Sequence, residues 1–360
     1  MYFYKKKKLM ETLHKDVQEY YGEELQKSED LKTNVCCTLT KPPRHIMEAL
    51  LLVADEVQAK YYGCGLTIPT QVKGLKILDL GSGSGRDCYI AGKLVGENGH
   101  VVGIDMTDQQ LALAKEYIEF HREKFGYAKS NVEFIKGNIE RLDELNLEKG
   151  SFDLIISNCV INLAQDKQKV LDDAYALLKP GGEMYFSDVY SDRRIPQELQ
   201  EDKVLWGECL SGALYWNDFH NTAKKAGFTD PRVVENKPIT VENEELEEKL
   251  GTLKFFSVTY RLWKIEGLES DCEDYGQAVV YNGGIEECPM AFDLDNHHYF
   301  PKGKVMTVCG NTYKMLHDTR YKSFFTFLGD WSTHYGIFEG CGGAMPFSLN
   351  VGGADAANCC

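Results

Sequence analysis

The feature that most constrains the fold of this chain is a glycine-rich turn between a strand and a helix. Residues 76–87 read Lys-Ile-Leu-Asp-Leu-Gly-Ser-Gly-Ser-Gly-Arg-Asp, so the apolar run of a buried strand precedes the turn. Gly81, Gly83 and Gly85 permit left-handed backbone where a ligand must approach closely, and the following helix offers free N–H groups at its start. This layout is typical of a sheet that holds an adenine cofactor at the carboxyl ends of its strands.

A second strand pattern strengthens that interpretation. Residues 101–105, Val-Val-Gly-Ile-Asp, end in an acidic residue about 20 positions after the turn, where a carboxylate accepts hydrogen bonds from both ribose hydroxyls. We therefore assign Asp105 to the ribose. Between 75 and 190, strand patterns alternate with helical patterns, which predicts a parallel sheet covered by helices. The expected fold is α/β, a doubly wound and mostly parallel sheet of the Rossmann-like type.

Length and charge exclude several classes of function. The 360 residues exceed one domain by the prior of about 100–200 residues per domain. A formal net charge of −15 argues against a nucleic-acid partner, because phosphate contacts dominate nucleic-acid affinity. No run approaches the roughly 18 apolar residues of a membrane span, and no apolar signal segment follows the lysines at 5–8. We expect a cytoplasmic protein without a membrane or nucleic-acid partner.

The patterns along the chain predict five segments. They are a helical lead-in (1–70), a Rossmann-like cofactor domain (71–190), an appended segment (191–265), a small α+β unit (270–345) and a tail expected to be disordered (346–360). A charged, glycine-containing run at 266–284 is interpreted as a linker into the small unit.

Ligands of an open parallel sheet bind beyond the carboxyl ends of its strands, so the loops after the strands supply the candidate contacts. Met106 is expected to cover one adenine face and Asn138 to hydrogen-bond the adenine edge; the alternative for Asn138 is a helix N-cap. The full set of candidate cofactor contacts is Asp79, Gly81, Gly83, Gly85, Asp105, Met106, Asn138, Ile139, Glu140 and Asn158.

The spacing of the glycines favours S-adenosylmethionine over a nicotinamide cofactor. The turn follows the pattern Asp-x-Gly-x-Gly-x-Gly, in which Asp79 and a tight loop suit a methionine moiety. A nicotinamide enzyme uses Gly-x-Gly-x-x-Gly, and here Arg86 stands where the third glycine belongs. The Leu-Leu-Lys-Pro-Gly-Gly turn at 177–182 is similar to that of class I S-adenosylmethionine-dependent methyltransferases. This resemblance covers about 75–190.

The chain contains 12 cysteines, scattered and without a Cys-x-x-Cys pair. In a reducing compartment a structural disulfide framework is not expected, and any one of them alone is best interpreted as a small buried residue. Cys159 is different because it follows the fourth strand, in the sequence Ser-Asn-Cys-Val at 157–160. Enzymes that methylate exocyclic amines often have Asn-Pro-Pro-aromatic there, whereas a thiol suits a soft electrophile.

Further motifs narrow the resemblance to one family. They are Asp-Leu-Lys-Thr-Asn-Val-Cys at 30–36, Tyr-Tyr-Gly-Cys-Gly-Leu at 61–66, Ser-Asn-Cys-Val-Ile-Asn-Leu at 157–163, Val-Leu-Trp-Gly-Glu-Cys-Leu at 204–210 and Gly-Ala-Leu-Tyr-Trp at 212–216. Together they resemble the arsenite S-adenosylmethionine methyltransferases from about 20 to 264, with weaker similarity in the small terminal unit.

The resemblance implies that Cys36, Cys64, Cys159 and Cys209 bind trivalent arsenic, which makes 191–265 an arsenic-binding segment. It also implies arsenite or its glutathione conjugate as substrate and a thiol reductant, glutathione or thioredoxin. On this scheme Cys159 and Cys209 hold the methylated intermediate, while Cys36 and Cys64 join for inorganic arsenite and for redox turnover. Cys37 is adjacent to Cys36, and only the spacing after residues 31–34 favours Cys36.

Two alternatives stay open at this point. A C- or O-methyltransferase acting on a small molecule such as a quinone would need an acid or base rather than thiols. A thiol-rich arsenic sensor would bind arsenite without turning over the cofactor.

Overall fold

A computed structural model describes residues 42–341, except 66, 203–204, 207–208 and 241–242. Cys36 and Cys37, most of the expected lead-in and the expected tail lie outside these residues. Within the described part of 1–70, helices cover Arg44–Leu50 and Asp55–Gln58, and residues 61–65 form an irregular loop.

Across the described ranges, the centre of the molecule is an eight-stranded sheet in the order β3-β2-β1-β4-β5-β8-β7, with β6 paired to β5. The strands are β1 (Lys76–Leu80), β2 (His100–Asp105), β3 (Val132–Lys136), β4 (Phe152–Asn158), β5 (Leu178–Ser191), β6 (Leu214–Tyr215), β7 (Arg232–Ile239) and β8 (Phe255–Trp263). Strands β1 to β6 pair in parallel, whereas β8 runs antiparallel to both β5 and β7. The predicted α/β, mostly parallel fold is confirmed.

Helices cover both faces of this sheet. They are α1 (Arg44–Leu50), α2 (Asp55–Gln58), α3 (Arg86–Val95), α4 (Asp108–Glu116), α5 (Ile118–Phe125), α6 (Lys167–Leu177), α7 (Gln197–Gln200), α8 (Trp216–Ala226) and α9 (Glu244–Leu250). One face packs apolar residues of α1 and α3 against the strands, and the other face packs α6 and α8. The inner strands are apolar on both sides because both faces are covered. Among the described residues, no helix is long and apolar enough to cross a bilayer.

The small terminal unit includes part of the run at 266–284. Strand β9 (Glu273–Asp274) and strand β10 (Gln277–Tyr281) lie within the run that we interpreted as a linker, so that interpretation is wrong. Val279 and Tyr281 of β10 are fully buried in the core of the unit, which explains why this charged run forms a strand.

The remaining elements of the unit form three small sheets and one helix. They are β11 (Ala291–Asp293), β12 (Tyr299–Pro301), β13 (Val305–Val308), α10 (Gly310–His317), β14 (Phe325–Leu328) and β15 (Gly336–Ile337). Strand β10 lies between β13 and β14, β11 pairs with β12, and β15 pairs with β9.

A buried ionic network fixes this unit to the central sheet. Glu183 of β5 is fully buried and forms a 2.8 Å ion pair with Arg261 of β8. A second guanidinium, from Arg320 of the small unit, pairs with the same carboxylate. The uncharged hydroxyl of Tyr321 accepts hydrogen bonds from both arginines. Removal of one partner would leave a buried charge without its counter-charge, which is strongly destabilising. The network therefore stabilises the packing of the small unit against the central sheet.

Candidate active site

The carboxyl ends of β1 to β4 meet at a cleft. Its walls include nine of the ten candidate cofactor contacts, namely Asp79, Gly81, Gly83, Asp105, Met106, Asn138, Ile139, Glu140 and Asn158. The tenth, Gly85, does not line the cleft. It precedes α3 with φ of 88°, and a Cβ there would lie 2.6 Å from the ring of Phe134, so its role is to let the turn pack against β3.

The other two glycines shape the floor of the cleft. Gly81 has φ of 76° and a Cβ there would lie 2.5 Å from Val160, so that position requires glycine on two grounds. Gly83 has φ of 52°, and a Cβ there would meet nothing within 4 Å. The open space beside Gly83 is where a ligand can approach the backbone.

The carboxylate of Asp105 is held in one orientation by the backbone. Its Oδ2 accepts a hydrogen bond from Gly83 N at 2.9 Å, and its Oδ1 accepts one from Thr107 N at 2.8 Å. Burial raises the pKa of Asp105, and these backbone donors oppose that shift. The carboxylate therefore links β2 to the glycine turn and faces the cleft with both oxygens fixed.

Asp79 is the group whose protonation is most strongly perturbed in the cleft. It is 3% exposed, and the Cys88 thiol donates a hydrogen bond to its Oδ2 at 3.1 Å. Burial raises the pKa of Asp79 to about 8, and the carboxylates of Asp87 and Asp105 add to the shift. Three carboxylates around one cleft favour a cationic ligand. The cleft thus fits a cofactor that carries a sulfonium and an ammonium group.

The loop after β3 is fixed by its own polar side chains. Asn138 accepts a hydrogen bond from Glu140 N at 2.8 Å and caps the short 3₁₀ helix Ile139–Glu144, which is the alternative role that its sequence context offered. Glu140 in turn accepts from Asp166 N at 2.6 Å at the start of α6. These contacts hold the rim of the cleft in place, and both residues also line it.

Asn158 connects the cleft to the loop at 61–65. Its side-chain Oδ1 accepts hydrogen bonds from Cys64 N at 2.9 Å and Gly65 N at 3.2 Å. Its Nδ2 lies 2.7 Å from the hydroxyl of Tyr61, 2.9 Å from Gly65 O and 2.9 Å from Oδ2 of Asp87. The amide therefore organises the protein around it, and its contacts place Cys64 over the end of β4.

Three of the four candidate thiols lie together at this point. Cys64 and Cys159 form a disulfide across a sequence separation of 95 residues, with their Cα atoms 5.8 Å apart. Cys209 donates from Sγ to Cys159 O at 3.3 Å. The three residues are between 2% and 4% exposed. The fourth, Cys36, lies outside the described residues.

The disulfide differs from what the sequence led us to expect. We expected no disulfide framework, and we grouped Cys159 with Cys209 and Cys64 with Cys36; the structure instead joins Cys64 to Cys159. The loop contacts explain this pairing. Asn158 precedes Cys159 in the chain and accepts a hydrogen bond from Cys64 N, so it places the two cysteines side by side.

Two of these cysteines have an unusual backbone conformation. Cys159 has φ of 55° and Cys209 has φ of 60°, a region that non-glycine residues occupy at a cost. Such strain persists only where the surroundings impose it, and it is common at ligand sites.

Sequence reasoning missed a group on the wall of the cleft. The guanidinium of Arg86 stacks 3.7 Å from the ring centre of Tyr61 and pairs with Asp87 at 3.0 Å. Arg86 and Asp87 open α3, and Tyr61 belongs to the motif at 61–66, so both stretches were recognised. What the sequence did not indicate was that they touch.

Charged side chains outside the set of candidate contacts lie near Cys209. Asp188 lies within β5, is fully buried and accepts hydrogen bonds from Val189 N at 2.8 Å and Asn162 N at 3.0 Å. Burial raises the pKa of Asp188 to about 7, against these hydrogen bonds. Burial also lowers the pKa of Lys167 to about 8, against attraction by Asp188, Glu140 and Cys209. Lys167 therefore interacts electrostatically with Cys209 as well as with Asp188 and Glu140.

Comparisons with known proteins cover both parts of the chain. A model of the methyltransferase domain matches residues 71–227, and a model of the arsenite methyltransferase C-terminal domain matches residues 275–342. The arsenite methyltransferase of Aquipseudomonas alcaligenes is 55% identical over 97% of this chain and 100% of its own length. The human arsenite methyltransferase is 48% identical over 87% of this chain and 83% of its own length.

A solved structure shows the same architecture. The crystal structure of an arsenic(III) S-adenosylmethionine methyltransferase from Chlamydomonas reinhardtii is 52% identical, with a TM-score of 0.81, and the match covers 83% of this chain and 100% of that one.

Proposed function

The chain belongs to the arsenite methyltransferase family, and from that premise we propose that it transfers methyl groups from S-adenosylmethionine to trivalent arsenic, first to arsenite and then to methylarsenite. The observation that carries the proposal is the meeting of three buried cysteines beside a cleft lined by carboxylates. We further propose that the reaction serves arsenic detoxification in the cytoplasm.

The geometry of the cleft supports an assignment of the residues that hold the cofactor. S-adenosylmethionine supplies a methyl group bound to positively charged sulfur. Asp105, with both oxygens oriented by backbone donors, binds the ribose hydroxyls. Asp79 at the end of β1 binds the methionine ammonium group, since the carboxylates around it favour a cation. Met106 and Ile139 provide apolar cover for the adenine, and Gly83 leaves room for the backbone to approach the ligand.

Arsenic binding uses the thiols of three different segments. Cys64 precedes the sheet, Cys159 follows β4 and Cys209 lies in the appended segment, so the site exists only in the folded chain. Trivalent arsenic is soft and pyramidal, and each thiol that bonds to arsenite displaces one hydroxide as water. Three sulfur bonds leave the arsenic lone pair free to attack the methyl carbon directly, so that an arsenic–carbon bond forms while the sulfur–methyl bond breaks and S-adenosylhomocysteine leaves. No general base is needed, and positioning of this kind is worth about 7–11 kcal/mol at best.

The disulfide supports a redox step after methylation. Methylation oxidises arsenic formally to the pentavalent state; two thiols then give up two electrons and two protons and form a disulfide, while arsenic returns to the trivalent state. Cys64 and Cys159 are the pair that the geometry supports. Arsenic must therefore leave Cys159 before this disulfide closes, which modifies the division of labour that we expected. An external thiol, glutathione or thioredoxin, reopens the disulfide by exchange.

The test is mass spectrometry of the arsenic products formed from arsenite or its glutathione conjugate, with glutathione and S-adenosylmethionine. Methylated arsenic supports the proposal, and binding of arsenite without methylated product would indicate a sensor. A C- or O-methyltransferase would keep its activity after cysteine alkylation.

Single substitutions assign the thiols. We expect Cys159→Ser and Cys209→Ser to abolish methylation of both substrates, because a hydroxyl does not replace a thiolate for a soft ion. Cys36→Ser should stop the first methylation and spare the second, with Cys37→Ser as the matched control. Because the proposed redox step uses Cys64 after each methylation, Cys64→Ser should lower methylation of both substrates. Loss on arsenite alone would show instead that Cys64 only helps to bind arsenite.

A further inference from the structure

A second group of thiols lies in the small terminal unit, outside the catalytic site. Strands β9 and β15 pair through Gly336 with Asp274 and Ile337 with Glu273. Just beyond this ladder, Phe338 N donates to Cys272 O at 2.7 Å, and the thiols of Cys341 and Cys272 are 3.0 Å apart. Both cysteines are partly exposed. Two reduced sulfurs in contact at a surface form a dithiol.

A third cysteine lies directly behind this pair. Cys309 is 1% exposed and caps the start of α10, where its sulfur accepts a hydrogen bond from Thr312 N at 3.5 Å. The guanidinium of Arg232 lies 3.9 Å from the same sulfur. A hydrogen bond from Cys272 lowers the pKa of the Cys309 thiol to about 5, and the charge of Arg232 adds to this shift. Cys309 thus interacts with Cys272 as well as with Arg232.

This group is separate from the thiols proposed for catalysis. Arg232 lies on β7, and the order β4-β5-β8-β7 puts three strand spacings between it and the strand that precedes Cys159. Neighbouring strands are about 4.8 Å apart, so three spacings separate β7 from β4 by roughly 14 Å. One arsenic atom cannot bridge that distance.

We propose that Cys272 and Cys341 form a second binding site, one that takes monosubstituted trivalent arsenicals. The sulfurs of Cys272 and Cys341 are 3.0 Å apart, so both can bond to one arsenic atom that has two bonds available for the protein. A monosubstituted arsenical meets that requirement: CH₃As(OH)₂ and two thiols give CH₃As(SR)₂ and two waters, with no change of oxidation state.

The choice of a methylated ligand rests on the proposed function, because methylarsenite is its first product. The site would hold such a product away from the catalytic thiols. The dithiol chemistry itself does not depend on catalysis, so the two proposals can fail separately.

The test maps alkylation of the full-length protein with and without methylarsenite, in a phosphine reductant that keeps disulfides open. The variant used is Cys64→Ser with Cys159→Ser and Cys209→Ser, which removes the described catalytic thiols. We expect methylarsenite to slow the alkylation of Cys272 and Cys341 at least tenfold, as read by peptide mass spectrometry. Cys288, a partly exposed cysteine of the same unit, is the matched control and should be unaffected.

Single substitutions then test the pairing. Cys272→Ser should make the alkylation of Cys341 insensitive to methylarsenite, and Cys341→Ser should do the same for Cys272. Each variant in the otherwise native chain should methylate arsenite within twofold of the unsubstituted rate, which also shows that it folds. Equal alkylation with and without methylarsenite, or equal protection of Cys288, would overturn the second site. A wild-type protein that makes no methylated arsenic would instead overturn the proposed function.

Discussion

Replacement of Asn158 by aspartate tests how the cofactor cleft is joined to the thiols. The side chain keeps its shape and its acceptor for Cys64 N and Gly65 N, but it loses both N–H donors. Those donors face Tyr61 OH, Gly65 O and Asp87 Oδ2 at 2.7–2.9 Å. The new carboxyl would therefore face a carbonyl and another carboxylate.

The size of the effect follows from these contacts. Loss of two hydrogen bonds costs about 1–3 kcal/mol at about 0.5–1.5 kcal/mol each. Repulsion between the new carboxylate and Asp87 adds to this cost. The repulsion cannot exceed the free energy needed to protonate the new carboxyl, because protonation removes it. We expect about 2–4 kcal/mol in the free energy that positions the 61–65 loop. At 1.36 kcal/mol per factor of ten, this is about a 30- to 1000-fold fall in kcat/KM for arsenite at pH 8.

The pH dependence separates the two terms. Repulsion raises the pKa of the new carboxyl, so it protonates as the pH falls and regains one donor. The activity of Asn158→Asp relative to wild type should therefore rise between pH 8 and pH 6. Asn158→Ala, which has neither donor nor charge, should show a deficit that does not change with pH. Rates measured with excess reductant decide this. Wild-type activity of Asn158→Asp at pH 8, or the same flat profile for both variants, would refute the reasoning.

Three further outcomes are expected. Asp105→Ala should weaken S-adenosylmethionine binding by about 1.5–3 kcal/mol, or about 10- to 150-fold, in calorimetry while arsenite binding is retained; unchanged affinity would remove Asp105 from the ribose site. Because burial raises the pKa of Asp79 to about 8 and a cationic ligand favours its carboxylate, cofactor binding should release a proton at pH 7, and affinity should rise with pH and level off above 8. Calorimetry in buffers of different ionisation enthalpy measures this, and Asp79→Asn should abolish it. Arg320→Ala should lower the unfolding midpoint in urea by leaving Glu183 with one guanidinium, and an unchanged midpoint would show that the network does not stabilise the fold.

Features set by local sequence were predicted well. The glycine turn, the helix from Arg86 and the carboxylate at the end of β2 each depend on a few consecutive residues whose backbone requirements are written in the sequence. The mostly parallel sheet followed from the alternation of apolar strands and amphipathic helices.

Features that depend on contacts between distant parts of the chain were predicted less well. The run at 266–284 is charged and contains glycine, so its composition favours a linker, yet the packing of Val279 and Tyr281 in the small unit forms β10 there. Asn138 was assigned to the adenine edge, whereas its observed hydrogen bond caps the following helix; the same side chain lines the cleft, so its role toward adenine stays a prediction.

The pairing of the thiols shows why motifs alone could not locate the site. The motifs at 61–66 and 157–163 are far apart in sequence, and each contains one cysteine. The residues of a motif do not indicate with which other cysteine its own cysteine pairs. Asn158, in the second motif, binds the backbone of Cys64 in the first and also contacts Asp87 on the helix after the glycine turn. One amide thus joins the loop that carries a thiol to the helix that borders the cofactor cleft. Because the same hydrogen bonds position both, a change at Asn158 should also affect the proposed arsenic site, even where the cysteines are intact.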